Sequence, residues 1–173
     1  MLKVILPGQN IPTSYYDCRY AVLRQPLGFI RGAEILADDN QAIHSYIEKE
    51  NHILCVGRAH VIPSDSDGTA ADHAGPEATK CPGFSPLSEV DTYRPAIQIR
   101  QMGTLDDERR KGLAGLVLSS LEQVSKQHFG AKFGFLQARE QAIPFYQSQG
   151  WKLIDPPYSI DGIGPHRSMM KRL

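Results

Sequence analysis

The stretch Arg109-Arg110-Lys111-Gly112-Leu113-Ala114, running straight into the apolar pattern Gly115-Leu116-Val117-Leu118, constrains this chain more than any other. It sets positive charge, a glycine and free backbone N–H groups at the start of a helix, where the first turn leaves its amides unpaired and the dipole end is positive. Such a terminus is a seat for a phosphate or pyrophosphate. No Gly-Lys-Ser/Thr closes it as in a Walker loop, and it lacks the dinucleotide pattern Gly-x-Gly-x-x-Gly. Gly112 lets the backbone approach a phosphate where a side chain would block it. Taken alone, Arg109 to Lys111 read as a solvated basic turn, and it is the flanking elements that reverse this.

Upstream, Ala96-Ile97-Gln98-Ile99-Arg100-Gln101-Met102 alternates apolar and polar residues like a strand with two different faces, with Gln98, Arg100 and Met102 together on one of them. Downstream, Lys132 to Gln137 reads as another strand. Ala142 to Trp151 then reads as a short helix, a glycine stop at Gly150 and a new strand. Nearer the N-terminus, residues 2–6 suit a strand. A helix start at Thr13 or Ser14, with Asp17 three positions after Ser14, points Tyr15, Cys18, Ala21 and Val22 inward and ends before Pro26. Residues 42–48 and 52–62 suit paired strands around Lys49-Glu50-Asn51. The helix after the basic loop carries an apolar stripe of Leu113, Leu116, Val117, Leu121 and Val124, which reads as packing. From Pro63 to Pro95 the pattern dissolves into Ser, Asp, Gly, Ala and Pro, as in a functional lid or mobile insertion.

Strand, basic glycine loop, helix, strand and then Ala142-x-x-Phe145-Tyr146-x-x-x-Gly150-Trp151 resembles the GNAT superfamily of acetyl-CoA-dependent N-acetyltransferases. The family loop is Arg/Gln-x-x-Gly-x-Gly/Ala, matched at Arg109, Gly112 and Ala114. Asp38-Asp39-x-x-Ala42-x-His44 and the ending Gly162-Ile163-Gly164-Pro165-His166 resemble the ElaA-type branch, the latter with Gly164 inserted. The resemblance implies an α+β domain over residues 1–173, with a central, mostly antiparallel mixed sheet flanked by helices and the insertion at 63–95. It implies pyrophosphate on Arg109, Arg110, Lys111, Gly112, Leu113, Ala114 and Gly115, and pantetheine along Met102, Gly103 and Thr104. Arg139 stands where many members carry a cofactor-contacting asparagine; an arginine there can instead reach a phosphate.

The implied activity is transfer of the acetyl group of acetyl-CoA to a primary amine by direct attack. Tyr146 is the candidate acid for the leaving thiolate, since a phenol of ordinary pKa about 10 stays protonated at neutral pH; the alternative is an aromatic whose hydroxyl bonds a backbone group. His44 and His166 are catalytic candidates for the base, with Glu89 and Asp39 beside them, and each histidine is otherwise a satisfied structural residue. A non-catalytic acyl-CoA sensor of the same fold and an autoinducer-synthase-like acyltransferase are the competing readings.

Formal net charge is zero, so no global field draws the chain to nucleic acid or an anionic membrane. There is no long apolar run, and the opening Met1 to Leu6 is cut by Pro7-Gly8, too short for a signal-peptide core. Three scattered cysteines, Cys18, Cys55 and Cys81, fit a reducing cytoplasm. His73 and Cys81 lack zinc spacing, so no metal is expected. The expected partner is a small-molecule or peptide amine, and a homodimer stays open.

Overall fold

Alternating apolar and polar residues assemble into one seven-stranded sheet in the computed structural model, which describes residues 1–89 and 91–173. Along the chain run β1 (Leu2–Ile5), α1 (Thr13–Leu23), β2 (Ile43–Lys49), β3 (His52–Val61), β4 (Ala70–Ala71), β5 (Lys80–Cys81), α2 (Ser85–Glu89), β6 (Ala96–Thr104), α3 (Leu113–Phe129), β7 (Phe133–Arg139), α4 (Ile143–Ser148), β8 (Lys152–Ile160) and β9 (Gly164–Arg172). The sheet order is β1-β2-β3-β6-β7-β9-β8, and β6 and β7 are parallel while the other neighbours are antiparallel. This is the mixed, mostly antiparallel sheet expected. Glu50 and Asn51, both at positive φ (50° and 64°), make the tight turn between β2 and β3, the backbone twist a two-residue hairpin favours.

α3 covers one face of the sheet. Val117, Leu118 and Leu121 are buried there with Ile43, Ala59, Ile97, Ile99 and Leu136. Leu116, expected in that stripe, is 54% exposed; Leu118 takes the inward position. Gly130, at φ 64°, caps the helix with its N–H on the Lys126 carbonyl at 3.1 Å, the left-handed stop glycine supplies. α1 covers the opposite face through Tyr15, Cys18 and Val22. Its N-cap is Pro12 with no side-chain cap bond, so Ser14 and Asp17 do not form the expected box. Ala21 is only half-buried, and Arg19 is wholly buried instead.

The insertion carries more structure than its composition predicts. β4 and β5 pair as a small ribbon. Phe84 is fully buried against Phe135 with ring centroids 5.0 Å apart. The Arg94 guanidinium donates to the carbonyls of Pro63 (2.9 Å) and Ser66 (2.6 Å), tying the two ends of the segment together. A few anchors among many Ser, Asp and Gly residues hold it, and a window average dilutes them.

Candidate active site

Two irregularities in the sheet make a cleft. Between β3 and β6, Val56 pairs with Gly103 and Arg58 with Arg100, so Gly57 of β3 alone faces both Gln101 and Met102 of β6. Gln101 sits at φ 56°. This is a bulge, and the extra residue inverts the alternation beyond it. Met102 therefore packs with the α3 cluster, and Gly57 has no room for a Cβ beside the Met102 sulfur. The expected common face of Gln98, Arg100 and Met102 is corrected: Arg100 and Gln101 face the insertion and Met102 does not. The second irregularity is a splay. β6 and β7 pair from Ala96↔Phe133 to Ile99↔Leu136 and then separate, leaving one edge of residues 100–104 without a strand partner.

The V between them is a cleft of about 190 Å³, lined on the β6 side by Arg100, Gln101, Met102, Gly103 and Thr104 and on the other by Gln137, Arg139, Tyr146 and His166. Arg109 stands on its rim, donating through Nε to the Thr104 carbonyl (3.4 Å) and paired with Asp106 at 2.8 Å. Arg110 (φ 64°) and Gly112 (φ 81°) are both left-handed. The first bond of α3 runs from Leu116 N–H to the Gly112 carbonyl, and the amides of Arg110 to Gly115 find no acceptor among the described residues. Lys111 reaches Glu108 at 3.0 Å. Free amides, a left-handed glycine and three basic side chains are the groups that could hold an anion such as a pyrophosphate here.

Tyr146, on α4, is 8% exposed and lines the cleft. Burial pushes its phenol well above the ordinary value, with Cys55 adding to the effect. Its hydroxyl makes no hydrogen bond among the described residues, so its proton is uncommitted. His166, on β9, lies opposite Arg139 in the β7–β9 register and stacks on Tyr158 at 5.9 Å. Its Nδ1 donates to the Gly164 carbonyl at 2.8 Å, which leaves Nε2 with its lone pair. Burial holds its pKa below 6.5, the Gly164 bond and Asp72 pull it up, and Arg139 pulls it down.

His44 lies elsewhere, in a buried network. Its Nε2 donates to the Asp39 carbonyl at 2.7 Å, and Nδ1 accepts from Arg19 Nη2 at 3.2 Å. Burial lowers its pKa to about 4. Both ring nitrogens of His44 are engaged, and His44 does not line the cleft that holds Tyr146 and His166. Asp39 is likewise taken by Arg19 (2.8 Å) and Arg58 (3.3 Å). Glu89 has a side chain outside the described residues. Gln98 donates to Gln137 at 3.2 Å, behind the cleft.

Arg24, Asp72 and Gln101 line the cleft without having been singled out in the sequence. Arg24, at the C-cap of α1, donates to Gln101 Oε1 (2.7 Å) and to the Asp72 carbonyl (3.2 Å). Arg100 and Gln101 donate to that same carbonyl at 3.1 Å each. The insertion thus delivers the Asp72 carboxylate to the cleft wall. Nothing in Ala70-Ala71-Asp72-His73 announces this, because the contact is made across the sheet. Among the described residues no cluster of metal-ligating side chains occurs, and no helix is long and apolar enough to cross a membrane.

Residues 87–173 match the family described as the acetyltransferase (GNAT) domain. YjcF of Bacillus subtilis (strain 168), described as an uncharacterized N-acetyltransferase, is 31% identical over 75 residues, or 43% of this chain. The chain spans about half the length of that relative, 52%. Escherichia coli ElaA superposes with a TM-score of 0.65 at 18% identity, covering 99% of this chain and 100% of that one. A GNAT family acetyltransferase of Elizabethkingia anophelis, solved with acetyl-CoA bound, gives 0.56 at 12% identity, covering 100% and 97%. At such identities the superpositions establish the fold. The chain belongs to the GNAT acetyltransferase family.

Proposed function

We propose that this protein is an N-acetyltransferase that moves the acetyl group of acetyl-CoA directly to a primary amine. The observation that carries the proposal is the junction of the splayed β6–β7 cleft with the open amide loop of Arg110 to Gly115. In this reading the loop and Arg109 hold pyrophosphate, and the free edge at Met102, Gly103 and Thr104 accepts the pantetheine amides. Tyr146 and His166 line the same cleft.

The acceptor nitrogen attacks the thioester carbonyl carbon; a C–N bond forms and the C–S bond breaks. The sulfur leaves with the bonding pair and takes the Tyr146 phenol proton, which solvent later restores. His166 Nε2 takes the proton lost by the amine, with the Gly164 carbonyl fixing the required tautomer. The ends of the insertion, tied by Arg94, make residues 63–95 the wall that selects the acceptor. Buried free cysteines suit a reducing cytoplasm.

Isothermal titration with acetyl-CoA, run beside an Arg109→Ala, Lys111→Ala double variant, tests the cofactor half. Micromolar binding that collapses in the variant is expected. An amine library screened for CoA thiol release tests the transfer. A folded wild-type protein that does not bind acetyl-CoA refutes the proposal.

A further inference from the structure

A second cavity, of about 340 Å³, lies under the insertion beside the cleft. Asp38 and Gln41 before β2, His60 on β3, Gln98 on β6 and Thr69 and Ala70 of the insertion enclose it. Two buried polar atoms on its lining residues have no hydrogen-bond partner among the described residues, Gln98 Oε1 and His60 Nδ1. Gln98 is 1% exposed, and its Cα partner in the β3–β6 register is His60. The Cβ atoms of residues so opposed stand about 5 Å apart, which puts both side chains within reach of one small group. The orphan on Gln98 is an acceptor by necessity. The Pro82 carbonyl takes a hydrogen bond from Gln137 Nε2 at 2.8 Å, which leaves Gln137 Oε1 for Gln98 at 3.2 Å. Gln98 therefore presents its Nε2 to Gln137, and its Oε1 is left over.

Side chains divide this cavity from the cleft. Arg100 Nη2 reaches up to the carbonyls of Ala71 and Asp72, and Gln137 Nε2 to that of Pro82, so sheet and insertion meet between the two spaces. The charges nearby are already matched: Asp38 pairs with Arg58 at 2.9 Å, and Asp39 meets the same guanidinium at 3.3 Å. An anion entering the cavity would meet Asp38 on its wall. A cation would meet the field of Arg58 and Arg100, which together with burial keeps His60 neutral. The vacancy suits a neutral group that both donates and accepts, and a hydroxyl does so through one atom whichever His60 tautomer is present. Val61, Ile62 and Pro63 add apolar lining for the C–H groups of the same molecule. We propose that this cavity is a second binding site, for a neutral polyol or sugar, one hydroxyl of which donates to Gln98 Oε1 and bridges to His60 Nδ1. One water, filling about 30 Å³, would answer the two atoms but not the space. The site does not depend on the acetyl-transfer reading.

The test titrates the full chain with glycerol, erythritol, D-ribose, D-glucose and myo-inositol, beside dimethoxyethane and acetamide as probes without a hydroxyl, by saturation-transfer NMR and calorimetry. At least one polyol is expected to bind with a Kd of about 1 mM or tighter, and neither control is. Gln98→Leu is expected to weaken that binding by about tenfold or more, and His60→Phe likewise, each through the loss of one buried hydrogen bond. The same polyol is expected to bind with unchanged affinity in saturating acetyl-CoA, because the two spaces are divided. No polyol binding at about 10 mM overturns the inference and leaves ordered water as the partner of the two atoms. Controls that bind as well as the polyols overturn it, and so does a Gln98→Leu protein of wild-type affinity. Competition with acetyl-CoA overturns it too, since it puts the polyol in the cleft. Should Gln98→Leu fail to fold, Gln41→Trp decides: this exposed residue lines the cavity without touching the two orphan atoms, its indole is expected to block the space, and retained binding there overturns the inference.

Discussion

Mild acid should destabilise this protein through His44, and the size of the effect follows from its surroundings. The ring is wholly buried, with Tyr15, Arg19, Asp39 and Arg58 about it, and its pKa falls from 6.5 to about 4. A second proton would go on Nδ1, which faces the Arg19 guanidinium at 3.2 Å. Because the folded value lies below the unfolded one, the unfolded chain binds more protons between them. Stability is then full above 6.5 and is lost as the pH falls toward about 4. Integrating that difference from about pH 7 to about pH 5 gives a loss of about 2 kcal/mol from His44 alone. His60, lowered to about 3 by burial and by Arg58 and Arg100, adds a similar amount, so these two histidines together should cost about 4 kcal/mol over that window. Asp38 remains charged throughout, because Arg58 outweighs its burial and keeps it below 3.8. Urea unfolding at several pH values measures the loss. In His44→Gln, which keeps a donor for the Asp39 carbonyl, the pH-dependent loss should shrink by about 2 kcal/mol, whatever the variant costs at neutrality. A His44→Gln protein with the pH dependence of the wild type would show that the imidazole is not held neutral by this network.

Tyr146→Phe should lower kcat by about 100-fold with acetyl-CoA affinity unchanged, the contribution typical of a single positioned acid; stopped-assay kinetics beside calorimetry separate the two, and an unchanged kcat removes the acid role. The acid limb of the kcat/KM profile should fall below pH 6.5, because burial lowers His166 and only its neutral form accepts a proton; a His166→Gln variant that keeps the same limb assigns it to another group. Gly103→Ala should cost about 1–3 kcal/mol, since a Cβ there runs into Val22 on α1 and has to push that wall of the cleft aside; thermal unfolding reads the loss, and a neutral result means α1 yields freely.

The parts legible in the sequence were those set by neighbours along the chain. Arg109 to Ala114 announces itself because a glycine, three cations and an apolar helix pattern are consecutive, and Phe145-Tyr146 because a glycine and tryptophan follow at fixed spacing. The hairpin at Glu50-Asn51 was equally local. What escaped depends on partners far away in sequence. Arg19 and Arg58 look like surface residues until Asp38 and Asp39 fold over them. Asp72 matters only because Arg24, Arg100 and Gln101 converge on it from α1 and β6. The bulge at Gln101 was invisible because an extra residue in one strand shows only against its partner, here Gly57.

That bulge also explains how one sheet carries both a core and a site. Up to Arg100, alternation sends Ile97 and Ile99 to α3 and Gln98 and Arg100 to the insertion. Without the bulge, Met102 would join Arg100 on the polar side, and Gln101 would lie against Val117 and Leu121 as an unsatisfied amide, a cost of about 1–3 kcal/mol. With it, Met102 closes the apolar core, and Gln101 joins the hydrogen bonds that anchor Asp72. The same stretch of β6 has left β7 by this point, so the altered backbone lies along the free edge of the cleft. One extra residue therefore serves packing on one face and opens the site on the other, and a deletion that restored strict alternation would damage both together.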